Sequence, residues 1–105
     1  MPVKPKLSES AVQGQILDWL ARKGIFHYRQ NTGGANLKGF YVRFGKKGAP
    51  DIVAIYRGMY VGIEVKKAGE KQTDDQHKYM QNVRNAGGVY ILAYQVEDVT
   101  QVLES

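Results

Sequence analysis

Two apolar runs lie back to back near the middle of the chain, Ile52-Val53-Ala54-Ile55-Tyr56 and Tyr60-Val61-Gly62-Ile63-Glu64-Val65, with Arg57-Gly58 between them. That spacing suits a hairpin of two strands. In a chain of 105 residues, which builds one modest core, both runs have to be central strands. A helix start follows at Thr73-Asp74-Asp75-Gln76, where a hydroxyl cap has Gln three residues on and carboxylates fill the first turn. Tyr79, Met80 and Val83 form that helix's apolar stripe, Gly87-Gly88 ends it, and Val89 to Tyr94 reads as the next strand. The span from residue 60 to residue 94 is long enough for a parallel crossover, expected to be right-handed.

The flanking segments fit the same plan. Ser8 is a helix cap, and Val12, Ile16, Trp19 and Leu20 recur at helical spacing over residues 9–23 until Gly24 stops the helix. Ile25 to Arg29 reads as a short strand and Asn31-Thr32-Gly33-Gly34 as a turn. Phe40 to Phe44 reads as a strand or as part of a long basic loop, and Gly45 to Pro50 as a break. Asp98 to Leu103 forms a last helical turn or two. The expected class is α/β, a mixed central sheet with helices on its faces. Residues 1–7 read as a flexible lead and 8–105 as a single domain, with no internal repeat.

Charge narrows the function. Fifteen Lys and Arg against ten Asp and Glu leave a net +5, and the excess is uneven. No acidic residue falls between Asp18 and Asp51, a stretch that holds Arg22, Lys23, Arg29, Lys38, Arg43, Lys46 and Lys47. A field of one sign suits a polyanion, most often nucleic acid. The absence of cysteine excludes disulfides, thiolate metal sites and cysteine nucleophiles. No apolar stretch is long enough to span a membrane, and the opening Met1-Pro2-Val3-Lys4-Pro5-Lys6 lacks the apolar run of a secretory signal, so a cytoplasmic protein is expected, bacterial or made in a phage-infected cell.

The chemistry gathers at the hairpin's open end. Glu64 and Lys66 are two apart on a strand and project together, while Ile63 and Val65 face the other side. Folding back at Arg57-Gly58 brings Asp51 beside Glu64. Two close carboxylates repel, and one has a raised pKa unless a cation joins them. A hard ion such as Mg²⁺ takes such oxygen ligands, and bound there it would acidify water and polarise a phosphodiester. Lys66 would orient that water or neutralise charge developing on the phosphoryl group. Glu9, at the edge of the first helix's stripe, offers a third carboxylate. Gln76 offers an amide to the lysine or the phosphate. Lys38, Arg43, Lys46 and Lys47, with Arg29, are the candidates for backbone-phosphate contact.

These residues resemble the PD-(D/E)xK nuclease superfamily, with Pro50-Asp51 and Glu64-Val65-Lys66 as its two signature pieces. The pattern is most similar to the VRR-NUC branch, the virus-type replication-repair nucleases. Glu9 stands as the early helical Glu, Gly48-Ala49-Pro50-Asp51 as the Gly-x-Pro-Asp, and Gln76 as the helical Gln after Glu-x-Lys. Ala86-Gly87-Gly88-Val89-Tyr90 resembles the closing turn and strand. The resemblance runs from about Ser8 to Leu103. It implies a restriction-endonuclease-like core and catalysis by Asp51, Glu64, Lys66, Gln76 and Glu9. It also implies Mg²⁺, or Mn²⁺ in its place, held by Asp51, Glu64, Val65 and Glu9. A homodimer that cuts branched DNA such as four-way junctions is the implied assembly and activity.

Other residues have plainer explanations. Asp74 and Asp75 suit a helix start, Trp19 lies on a core stripe, and His77 reads as surface-facing. His27 has no second histidine nearby to make a metal cluster, and Gly33-Gly34 lacks the Gly-Lys-Ser/Thr ending of a P-loop. The competing interpretations are a nucleic-acid-binding module without catalysis and a small partner protein. The first leaves Glu64 unexplained, because a carboxylate at a phosphate surface weakens binding unless a metal intervenes.

Overall fold

A computed structural model describes residues 7–30, 34–43 and 46–104. Most of the lead, the turn at 31–33, Phe44-Gly45 and Ser105 lie outside the described residues. The elements run α1 (Glu9–Arg22), β1 (Phe26–Arg29), β2 (Gly34–Leu37), β3 (Phe40–Arg43), β4 (Ile52–Tyr56), β5 (Met59–Val65), α2 (Asp74–Asn85), β6 (Val89–Ala93) and α3 (Glu97–Glu104). The main sheet has the order β1-β4-β5-β6, so the two apolar runs are its inner strands. β1, β4 and β5 pair antiparallel, and β5 pairs parallel with β6 across the α2 crossover. The chain is α/β, with a mixed sheet flanked by helices, an architecture compatible with a restriction-endonuclease-like core.

Local chemistry accounts for most boundaries. Ser8 caps α1, its Oγ accepting from the Ala11 N–H at 3.1 Å. The capping box of α2 is complete: Gln76 N–H donates to Thr73 Oγ1 and Thr73 N–H donates to Gln76 Oε1. At the β4–β5 turn Arg57 and Gly58 both have positive φ, 52° and 77°, as a two-residue primed turn requires. This turn sets the register Ile52↔Ile63.

Two boundaries differ from expectation. Asp51 sits in a bend just ahead of β4 rather than opening the strand. Residues 34–37, part of which reads as a turn, form β2 and pair with β3 in a separate two-stranded sheet. Gly-Ala-Asn-Leu has little intrinsic strand preference, and its pairing depends on the partner that the Lys38-Gly39 turn brings back.

The core lies on one face of the main sheet. Val12, Ile16, Trp19 and Leu20 of α1 and Val99 and Leu103 of α3 pack on Ile52, Ala54, Val61, Ile63, Val65, Ile91 and Ala93. Each fully buried aliphatic side chain there contributes about 1.5–3 kcal/mol. α2 lies on the other face, and none of its residues is fully buried. No helix among the described residues is long and apolar enough to cross a membrane.

Candidate active site

Strand alternation places Glu64 on the α2 face, opposite to Ile63 and Val65. Glu64 is 3 % exposed and Lys66 9 %, the two charged residues buried among the described residues. Asp51 reaches the same sheet end, and its Oδ2 accepts the Val65 N–H at 2.8 Å. That bond ties the bend before β4 to the end of β5. Lys66 is anchored through its backbone, its N–H donating to the Ala93 carbonyl at 3.0 Å.

Glu64 is held by a partner that sequence reasoning passed over. The Tyr90 hydroxyl donates to Glu64 Oε1 at 3.0 Å, a buried bond from β6. Tyr90 pairs with Gly62 and Leu92 with Glu64, so the ring leans along the strand to meet the carboxylate. Alternation in Val89-Tyr90-Ile91-Leu92 puts Tyr90 on one face of its strand, but only the parallel register shows which residue it meets. Burial pushes the Glu64 carboxyl up to about 8, and the negative charge of Asp51 adds to the rise. The Tyr90 hydroxyl and the Lys66 ammonium pull the other way. Asp51 stands close enough to Glu64 for its charge to oppose ionisation there. The Tyr90 hydroxyl is itself held well above the usual phenol range by burial and by Glu64, and so stays a donor.

Two glycines let the elements close on this point. Pro50 lies over Gly62, where an added Cβ would stand 3.0 Å from the proline Cγ. Gly48, at φ +79°, sits against the start of α2, where an added Cβ would collide with the Asp75 carbonyl and stand 2.9 Å from the Gln76 nitrogen. A cleft of about 310 Å³ at this junction is lined by Lys46, Lys47, Gly48, Ala49, Thr73, Asp75 and Gln76. Both glycines face a neighbour distant in sequence, so periodicity alone does not mark them.

The remaining candidates divide. Asp51, Glu64, Lys66 and the Val65 backbone meet at one end of the sheet. Gln76 starts α2 beside Gly48, but its side-chain oxygen is engaged in the capping box, and only its Nε2 is left out of the cap. Glu9, half-buried in the first turn of α1, does not join Asp51 and Glu64: among the described residues no three acidic or histidine side chains gather as a metal site. The physical reason is that α1 packs on the core face, whereas Glu64 projects from the other. Lys38 is exposed at the β2–β3 turn, Arg43 lies on β3, and Arg29 is exposed on β1. Lys46 and Lys47 are exposed beside the cleft, and Lys47 Nζ pairs with Asp75 Oδ2 at 3.3 Å. His77 is exposed, and His27 Nδ1 bonds the Ile25 carbonyl at 2.8 Å.

The donor set at the sheet end fits a hard cation: two carboxylates within reach of each other, one of them buried, and a backbone carbonyl at Val65 as the only ligand atom that residue offers. Compared with models of known protein families and with curated proteins, the chain matches none of them.

Proposed function

We propose that this chain is a divalent-metal-dependent DNA endonuclease of the PD-(D/E)xK type, in its VRR-NUC branch, that hydrolyses backbone phosphodiesters of branched DNA as a homodimer. The observation that carries the reading is the meeting of Asp51, Glu64 and Lys66 at one buried sheet end. A buried carboxylate beside a second one is costly unless a cation relieves it. Asp51, Glu64 and the Val65 carbonyl would hold Mg²⁺ or Mn²⁺, which supplies an acidified water and a polarised phosphate.

The chain's own groups have separate tasks. Tyr90 fixes the Glu64 carboxylate through its hydroxyl, and Val65 fixes Asp51 through its amide. Lys66 places a positive charge where phosphoryl charge develops. Water attacks phosphorus in line, a new P–O bond forms, and the strand's P–O ester bond breaks, its oxygen leaving with a proton. Lys46 and Lys47, with Lys38, Arg43 and Arg29, carry the backbone contacts that position DNA. A two-fold dimer supplies a second centre for the second strand.

The test is a cleavage panel of junction, flap, nicked, linear and single-stranded DNA, each with Mg²⁺ or Mn²⁺. Metal-dependent cutting that is lost in Lys66→Ala supports the reading. Tight DNA binding without cleavage under either metal would instead make the chain a non-catalytic binding module. Sedimentation that gives monomer alone, with and without DNA, overturns the dimer.

A further inference from the structure

The face that carries Asp51 and Glu64 is only half covered. α2 lies over β5 and β6, with Tyr79 bonded to the Tyr60 hydroxyl at 2.9 Å and its ring 6.3 Å from that of Tyr90. On the β1–β4 half Val53 is buried, 2 % exposed, but the positions around it toward the sheet edge are not. Register places Phe26 opposite Ile55 and Tyr28 opposite Val53, all on the face of Gly62 and Glu64. Phe26 is 69 % exposed, Tyr28 50 % and Ile55 41 %. The row continues inward, because Ile55 pairs with Tyr60. Beyond Tyr60 a second cleft of about 310 Å³ is lined in part by Lys46, Tyr79 and Asn82. An aromatic floor therefore runs from the sheet edge to a small cleft with a cation at its rim.

We propose that this floor is a track for an unpaired stretch of DNA strand, whose bases lie on Phe26 and Tyr28, while the cleft beside the bonded Tyr60–Tyr79 pair takes a base with its phosphate on Lys46. The proposal rests on the nuclease reading and names the part of the substrate that the site selects. Three observations converge on it. The Phe26 and Tyr28 ring centroids are 6.5 Å apart with their planes at 68°, so they are two separate platforms that a flexible single strand can follow and a rigid stacked duplex cannot. The track ends at the site: Tyr28 is two residues from Gln30, whose N–H donates to the Asp51 carbonyl at 2.8 Å. Charge also selects the occupant. The chain carries +5, to which a polyanion is complementary.

Stacking on rings needs no particular base, so the track tolerates any sequence and discriminates unpaired strand from continuous duplex. The nuclease would thus be directed to junctions, flaps or gaps, where strand is splayed from its partner.

The experiment measures binding of the full chain to oligo(dT) and to a blunt duplex of equal length by fluorescence anisotropy, in EDTA so that nothing is cut. Phe26→Ala and Tyr28→Ala are each expected to weaken oligo(dT) binding about tenfold and to change duplex binding less than twofold. Tyr28→Phe, which keeps the ring, retains oligo(dT) affinity. Equal losses on both DNAs, or no loss on either, overturn the proposal. So does a wild-type dimer that the alanine variants turn into monomer at unchanged oligo(dT) affinity, which would make the face a self-contact. Cleavage by the wild type with Mg²⁺ is measured separately. Ring-dependent oligo(dT) binding without any cleavage keeps the track and removes the nuclease, whereas cleavage without ring-dependent binding removes the track alone.

Discussion

On one face of the central sheet Ile52, Ala54, Val61 and Ile63 are 0 % exposed beneath α1 and α3. On the other face the same strands present Glu64, held by the Tyr90 hydroxyl, and the open rings of Phe26 and Tyr28. The centre of the first face is given over to apolar packing. The second leaves polar groups in place and holds them by directional bonds from Val65, Tyr90 and Thr73. In a chain this small the division puts packing and the candidate chemistry on opposite faces, although Ile63 and Glu64 are neighbours along the strand.

The sharpest way to test that division is Lys66→Ala. Cleavage is expected to fall by about a thousandfold, the scale of losing one charge-stabilising group at a reacting centre, while the core face is untouched. Single-turnover cleavage with Mg²⁺ measures it, and the thermal midpoint of the same preparation shows whether the fold is retained. Ile63→Ala is the converse. Removing a fully buried core side chain costs about 2–5 kcal/mol, read as a lower urea midpoint, while the contacts of Asp51 and Glu64 lie on the opposite face.

Gly48→Ala probes the seam between the faces. The added methyl meets α2 at a backbone position with φ +79°, so α2 and the bend before Asp51 have to part. A loss of about 1–3 kcal/mol in denaturant unfolding is expected. Cleavage should fall with it, because Asp51 is carried by that segment. Stability that matches the parent would show that the seam is loose.

The last test is in pH. The Glu64 carboxyl ordinarily titrates near 4.5 and is raised to about 8 in the fold, so the native state holds a proton that the unfolded chain releases. Without divalent ions, stability should be complete below about pH 4.5 and fall as pH rises toward 8, by up to about 1.4 kcal/mol per unit. Mg²⁺ should raise the thermal midpoint at pH 8 and leave it unchanged at pH 4.5, because only the ionised pair binds the cation. A midpoint that rises across this range in EDTA would remove Glu64 as the buried, raised group.

Much of this is legible in the sequence alone. Ser8 and Thr73 announced their helices because a cap is a contact within three residues. Asp51, Glu64 and Lys66 were placed together because a two-residue turn leaves one antiparallel register open to the strands on either side of it. β2 was not legible, since Gly34–Leu37 becomes a strand only through its pairing with β3. Glu9 looked available because it borders a helical stripe, but the stripe does not reveal which face of the sheet the helix will cover.

Turns, caps and alternation act over a few bonds, so the order of the elements, the hairpin and the meeting of Asp51, Glu64 and Lys66 at its open end follow from the chain itself. The assembled fold decided the rest. It brought Tyr90 to Glu64, seated Gly48 on α2 and left Phe26 and Tyr28 uncovered beside the site. Each of these depends on a parallel register or a helix docking between residues far apart in sequence, where side-chain volume and burial, rather than local preference, choose the arrangement.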